Sequence, residues 1–386
     1  MPKRVTVLGS TGSIGRSALS VIDAFPQQLE VSGLSARRQW EALADQAAQY
    51  QPRAVAVVDE GSAGHLRQRL SDAGVRCEVR TGVAGLEQLV RETDADFVLA
   101  AVVGSAGLPA VIAAVERGLT VGIANKEPLV VAGSLIVSRA AETGATLLPV
   151  DSEHSAVFQA MQAGRPDEVE RIYLTASGGP FRTWSQEQMD EATLEDALKH
   201  PTWLMGPKIT IDSATMMNKA LEIIEARWLF DVDPDRIEVV VHPESIVHSM
   251  VEFRDGSIIA QLGTPDMRTP IQYALSFPNR WPARADRIDF KALGRMHFEA
   301  PDPQRFPALR LGHDVARRGG TAGAALNAAN EAAVEAFQRN ELRYREIVPL
   351  VEDVLYRHDF KADPTLDELL AVDAWARREV TECCRV

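Results

Sequence analysis

Cysteine is scarce in this chain: Cys77, Cys383 and Cys384 are the only three in 386 residues, and no C-x-x-C spacing occurs. Such a set offers no disulfide framework and reads as reduced thiols in a cytoplasmic protein. Basic charge is also in deficit. Forty-one Lys and Arg face 54 Asp and Glu, a formal net charge of −13, which argues against a general nucleic-acid or anionic-membrane surface. An anionic ligand must then be held by a local cluster of donors. Long apolar runs are few. The uncharged stretch 97–115 nearly reaches the length of a bilayer span, but it contains Gly104, Ser105, Gly107 and Pro109 and reads as strand, loop and helix. Internal repeats and low-complexity tracts are missing. The N-terminus, Met1-Pro2-Lys3-Arg4, runs straight into a strand with no signal or transit peptide pattern, so a soluble protein outside the plastid is expected.

What is present is an ordinary globular balance, 46% hydrophobic and 25% charged, in a chain too long for one core. Residues 1–150 alternate short apolar runs with helical patterns, as stacked β-α units do. Strands are predicted at 4–8, 31–35, 54–58, 97–102, 120–124 and 146–150, in an α/β, doubly wound parallel sheet. From 151 the strands lengthen (171–175, 237–241, 257–262) and a strong helix spans 216–229. Residues 282–310 carry Pro282, Pro301, Pro303 and Pro307, a linker composition, and helices follow at 321–339, 346–356 and 365–380. The expected plan is a Rossmann-like nucleotide domain (1–150), a central α/β catalytic domain (151–285), a linker (286–311) and a helical C-terminal domain (312–386).

Gly9-Ser10-Thr11-Gly12-Ser13-Ile14-Gly15 follows a strand and opens a helix. Glycines allow close backbone approach to a pyrophosphate, and the helix start supplies N–H groups and positive dipole. A tight turn of no further role is the bland alternative. The second strand decides which nicotinamide: Arg37-Arg38-Gln39 follows it, where an NAD enzyme usually has an acid. Guanidinium suits a 2′-phosphate, so NADPH is favoured over two merely solvated arginines. Asn125-Lys126-Glu127 follows another strand at the ligand-binding edge, where Lys126 could reach nicotinamide or substrate.

Asp151-Ser152-Glu153-His154 and Asn218-Lys219-Ala220-Leu221-Glu222 carry the other chemistry. On an extended segment Asp151 and Glu153 point one way. On a helix Asn218, Lys219 and Glu222 share a face. Three carboxylates with amide, hydroxyl and ammonium donors suit a hard metal and a phosphate. Ser177-Gly178-Gly179 is a small loop able to serve an oxyanion. His200-Pro201-Thr202-Trp203-Leu204-Met205-Gly206 could close over a ligand or be a surface loop anchored by its tryptophan. Asp212 or Ser213 could cap the following helix, a use that competes with phosphate binding at Ser213.

These segments resemble the 1-deoxy-D-xylulose-5-phosphate reductoisomerase family. GSTGSIG from Gly9, ANKE from Ala124, LLPVDSEH from Leu147, SGGPF from Ser177 and HPTWLMG from His200 match it in order. So do KITIDSATMMNK from Lys208, IEARWLF from Ile224, HPESIVHSM from His242, PDMRTPI from Pro265 and ALNAANE from Ala325. The resemblance implies that Asp151, Glu153 and Glu222 ligate Mg²⁺ or Mn²⁺. It implies that Ser177, Ser213, Asn218 and Lys219 contact the substrate phosphate and hydroxyls, with His200 lining the phosphate end, and that Lys126 and Ser152 lie near the reacting oxygens. Thr11, Gly12, Ser13, Ile14, Arg37, Arg38, Gln39, Asn125, Glu127 and Gly206 match NADPH contacts, and Trp203 and Met205 a mobile flap. Arg37 and Gln39 replace the family's usual glycine and asparagine, and Leu204 and Pro207 its commoner polar flap residues. A phosphorylated small-molecule substrate and a homodimer are implied as partners. Two rivals stand beside this reading: an NADP-dependent semialdehyde or homoserine-type dehydrogenase that has no need of the carboxylate triad, and a non-catalytic NADPH-sensing module.

Overall fold

The computed structural model describes residues 1–384. The chain forms two units: Met1–Pro128, Ile136–Ser155 and Asp266–Asp286 make the first, and Leu129–Leu135, Ala156–Pro265 and Arg287–Val386 the second. This grouping differs from four consecutive segments. Asp266–Asp286 rejoins the first unit, and the proline-rich stretch and C-terminal helices group with the second.

The first unit holds strands β1 (Lys3–Leu8), β2 (Leu29–Ala36), β3 (Ala54–Val57), β4 (Glu78–Thr81), β5 (Phe97–Ala100), β6 (Thr120–Ile123) and β7 (Thr146–Pro149). Their order is β4-β3-β2-β1-β5-β6-β7, and every pairing is parallel. Parallel strands covered on both faces read as continuous apolar runs, which is why Ala54–Val57 and Phe97–Ala100, buried throughout, stand out in the sequence. The chain winds one way from β1 and the other from β5, so the switch point lies between these two strands, beside the loop that leaves β1. The predicted doubly wound sheet is therefore present. It has one more strand than expected, since β4 is a four-residue edge of Glu-Val-Arg-Thr with no apolar alternation.

The returning segment carries the helix Arg268–Ser276, whose last seven residues are all buried. Lys3 Nζ donates to the Leu275 carbonyl at 2.7 Å, and Phe25 and Trp281 rings meet at 4.7 Å. A helix with that much apolar burial is a core element of the unit, a fact that prolines further along do not reveal.

The second unit holds β8 (Val169–Ala176), β9 (Ile237–Val241), β10 (Val247–Phe253) and β11 (Ile258–Leu262) in the order β11-β10-β8-β9. β8 and β9 run parallel, and β10 is antiparallel to β8 and β11. Packed with it is a helical core that includes Met217–Phe230, Ala308–Arg318, Ala322–Gln338 and Leu366–Cys383. The helical C-terminal region is thus as expected. Among the described residues no helix is long and apolar enough to cross a membrane.

Candidate active site

In the first unit the glycine loop is shaped by contacts that exclude any side chain. Gly9 turns with φ +80°, and a Cβ there would lie 2.3 Å from the Ala101 carbonyl oxygen; one on Gly15 would lie 2.3 Å from the Gly9 oxygen. The helix Ser13–Ala24 starts with Gly12 at its cap and no side-chain cap, which leaves first-turn N–H groups facing outward for an anion. Thr11 is buried, whereas Gly12 and Ser13 are exposed. At the carboxyl end of β2, Arg37, Arg38 and Gln39 are all exposed, and Arg38 stands 4.0 Å from Asp59.

The carboxyl ends of the paired strands β6 and β7 bring Lys126 and Asp151 together. Lys126 Nζ lies 2.7 Å from Asp151 Oδ2, both side chains being largely buried. Beside them Asn125 Nδ2 donates to Glu127 Oε2 at 3.2 Å. Asp151 and Glu153 do not share an extended segment, contrary to expectation. The chain turns at once into the helix Ser152–Met161, and Ser155 N–H donates to the Asp151 carbonyl at 2.8 Å. Asp151 thus sits at the mouth of the helix and Glu153 in its first turn, where the dipole favours negative charge. Ser152 Oγ donates to Glu153 Oε2 at 2.5 Å. His154, with no solvent exposure, is 3.9 Å from Asp151; its place on the helix's inner face was not assigned a part from the sequence.

In the second unit the Ser177 loop leaves β8, with Gly178 at φ +84° and Gly179 at φ +69°. His200 Nδ1 accepts from the backbone N–H groups of Thr202 (3.1 Å) and Trp203 (2.9 Å). That assigns the ring proton to Nε2, which lies 2.9 Å from Ser177 Oγ and donates to it. Gly179 N–H reaches the same oxygen at 3.2 Å. The Ser177 hydroxyl therefore accepts twice and has its own proton to offer to an acceptor such as a phosphate oxygen. The segment from Pro201 to Gly206 has no regular structure, and the Leu204 side chain is fully exposed. Trp203 lies 6.2 Å from His248, ring to ring.

Neither Asp212 nor Ser213 caps the next helix, so one of the expected uses falls away. Both lie in the last turn of the helix Pro207–Ala214. The helix Met217–Phe230 begins after Met216, whose φ of +59° makes the turn without a side-chain cap. On that second helix Glu222 is wholly buried. Asn218 Nδ2 donates to its Oε1 at 2.5 Å and Lys219 Nζ to its Oε2 at 2.5 Å. The shared helical face is as expected, and the donors that a hidden carboxylate requires stand three and four residues before it.

Profiles of this arrangement's sequence match three described segments. Residues 5–133 match 1-deoxy-D-xylulose 5-phosphate reductoisomerase, 147–230 the C-terminal domain of 1-deoxy-D-xylulose 5-phosphate reductoisomerase, and 262–379 the DXP reductoisomerase C-terminal domain. A 1-deoxy-D-xylulose 5-phosphate reductoisomerase of Chloroherpeton thalassium is 50% identical over 98% of this chain and 97% of its own. The chain belongs to the 1-deoxy-D-xylulose 5-phosphate reductoisomerase family. The family's enzyme from Heliobacterium modesticaldum is 48% identical over 99% of this chain and 97% of its own. Among solved structures, the Zymomonas mobilis reductoisomerase in complex with NADPH superposes with a TM-score of 0.93 at 44% identity, covering 100% of this chain and 99% of that one. A reductoisomerase complex with NADPH, fosmidomycin and magnesium gives 0.94 at 39% identity, covering 99% and 98%.

Proposed function

We propose that Asp151, Glu153 and Glu222 hold one divalent cation, Mg²⁺ or Mn²⁺, in the NADPH-dependent conversion of 1-deoxy-D-xylulose 5-phosphate to 2-C-methyl-D-erythritol 4-phosphate, a step toward isoprenoid precursors by the non-mevalonate route. Family membership supports the reaction. The observation that carries the site is Glu222, a carboxylate without solvent exposure whose two oxygens each meet a donor. An all-carboxylate donor set suits a hard cation, and the glycine loop, which has no room for a Cβ at Gly9 or Gly15, suits a dinucleotide. When bound, the cation polarises substrate carbonyl and hydroxyl oxygens, and NADPH brings the hydride.

The protein's own residues then bind, orient and exclude water. Ser177, with its proton free to donate, holds the substrate phosphate together with Ser213, Asn218 and Lys219, and His200 holds Ser177 in place. Lys126 and Ser152 lie by the reacting oxygens, with Lys126 kept in place by Asp151. Arg37, Arg38 and Gln39 take the 2′-phosphate. Thr11, Gly12, Ser13, Ile14, Asn125, Glu127 and Gly206 take the rest of the cofactor. Trp203 and Met205 form a flap that covers the substrate, driven shut by phosphate binding remote from the chemistry. In this reading residues 1–150, joined by Asp266–Asp286, bind NADPH; 151–265 carry the chemistry and the contacts of a homodimer, and the residues from 287 onward brace the site. The setting is cytoplasmic.

The test is direct. Purified protein is mixed with 1-deoxy-D-xylulose 5-phosphate, NADPH and Mg²⁺, and cofactor oxidation is followed with and without a chelator. Chelator-sensitive oxidation that yields the branched tetritol phosphate is expected. NADPH that binds without being consumed would sink the reading and reopen the dehydrogenase and sensor alternatives.

A further inference from the structure

The ALNAANE segment lies far along the chain from every residue given a part above. It falls on the helix Ala322–Gln338, nearly all of which is buried. Asn327 and Asn330 have no solvent exposure. Asparagine is a poor choice for a helix interior, because its side chain competes for the backbone, and a buried amide is costly unless paired. Asn327 Nδ2 donates along its own helix to Glu331 at 3.0 Å, and its Oδ1 has no partner among the described residues. Asn330 reaches elsewhere: its Nδ2 donates to Asp212 Oδ1 at 2.8 Å, across 118 residues of chain. Its Oδ1 finds no partner among the described residues. The amide is therefore set for donation to Asp212 and not for its own full satisfaction.

Asp212 is itself 1% exposed, and its other oxygen lies 2.8 Å from Lys208 Nζ, one turn earlier. Ser213 follows Asp212, and Ala214 follows Ser213. The Ala214 carbonyl accepts from the buried Tyr344 hydroxyl at 2.8 Å. A Cβ on Gly179 would lie 2.5 Å from the Ser213 carbonyl, so the Ser177 loop lies close against this turn. The last turn of the helix Pro207–Ala214 is thus gripped on both sides of Ser213, at 212 by Asn330 and at 214 by Tyr344. These grips hold the backbone that carries Ser213.

We propose that Asn330 is a positioning residue for the phosphate contact of Ser213, acting through Asp212. This rests on the reading of Ser213 as a phosphate contact given above. A group that receives an oxyanion must be held to within about 0.5 Å, and a hydroxyl in the last turn of an eight-residue helix has no such constraint from its own helix. The bland competitor is that Asn330 only pairs a buried carboxylate. That role would lower stability, and activity toward every substrate alike.

The experiment compares kcat/KM for 1-deoxy-D-xylulose 5-phosphate with that for the unphosphorylated sugar 1-deoxy-D-xylulose. Their ratio measures what the phosphoryl group contributes. It is measured in the intact protein and in Asn330→Ala, Ser213→Ala and the double variant, with KM for NADPH alongside. In Asn330→Ala the ratio is expected to fall about ten- to a hundredfold, the usual effect of removing a group that orients a ligand, with KM for NADPH unmoved. Ser213→Ala lowers the same ratio, and the double variant falls no further than the worse single, because one contact is lost by two routes. Equal losses on both sugars, or losses that multiply in the double variant, would overturn the proposal. Should Asn330→Ala not fold, Asn330→Ser keeps a small polar side chain that is too short to reach Asp212. It should lower the ratio in the same sense, and an unchanged ratio there also overturns the proposal. If the intact protein turns over neither sugar, the reading of the reaction itself is at fault. If it acts on both while Ser213→Ala leaves the ratio unchanged, the phosphate contact is misassigned and the role of Asn330 falls with it.

Discussion

Glu222→Gln is nearly isosteric and tests the site most sharply. In the native protein both carboxylate oxygens accept, one from Asn218 Nδ2 and one from Lys219 Nζ. Glutamine has one acceptor and one donor at these positions. If its oxygen faces Lys219, its NH₂ faces the Asn218 NH₂; if reversed, it opposes an ammonium whose side chain is only 4% exposed. The reversed orientation sets donor against donor, and the first avoids this only if Asn218 turns its amide oxygen toward the new NH₂. Breaking a buried pair by neutralising one partner costs roughly 3–5 kcal/mol, so a lower midpoint of thermal unfolding is expected. The effect on turnover has a separate origin. A proposed metal ligand loses its charge, and a deficit of about 3 kcal/mol at the transition state corresponds to ~100-fold in rate. Initial rates of NADPH oxidation across a Mg²⁺ titration, with unfolding measured in parallel, separate the two. A folded Glu222→Gln protein with near-native rate and unchanged Mg²⁺ half-saturation would refute the assignment.

Three further outcomes follow from the same structure. The double variant Arg37→Ala, Arg38→Ala should raise KM for NADPH about tenfold or more, the worth of a charge-assisted hydrogen bond, and leave KM for NADH unmoved; equal effects on both cofactors would reject a 2′-phosphate contact. Gly15→Ala places a Cβ 2.3 Å from the Gly9 oxygen and 2.4 Å from Ser10 Cα, backbone atoms that cannot swing aside. A stability loss of about 1–3 kcal/mol with weakened NADPH binding should appear in melts and cofactor titration. Burial, with Arg317 and Arg318 adding to it, lowers the pKa of His313 and His358 below the ordinary 6.5. The unfolded chain then takes up these protons first as pH falls. Their contribution is complete above about pH 6.5 and is lost as pH drops through the folded values. The unfolding midpoint should decline from about pH 7 toward pH 5, and less steeply in His313→Gln, His358→Gln; identical slopes in the two proteins would reject the assignment.

Much of the nucleotide-binding half was legible because its signals are local. A glycine loop between strand and helix, and two arginines after the next strand, need only neighbouring residues to be recognised. The misses share a cause. β10 carries buried His248 and Ser249, and polar residues inside an otherwise apolar strand blur its periodicity. β4 is too short and polar to register. Asp151 and Glu153 were expected on extended chain, since nothing local announces that the helix Ser152–Met161 starts immediately; the turn there follows from the end of β7 in the sheet.

The parallel sheet, the glycine loop, the likeness to the reductoisomerase family and the helical spacing of Asn218, Lys219 and Glu222 can be read along the chain, because periodicity and short-range spacing are properties of consecutive residues. Folding alone brings Lys126 to Asp151 from the next strand, turns the His200 proton toward Ser177, and carries Asn330 to Asp212. These pairings join residues 23 to 118 positions apart. Such contacts form where burial makes an unpaired polar group costly, and burial is a property of the packed fold.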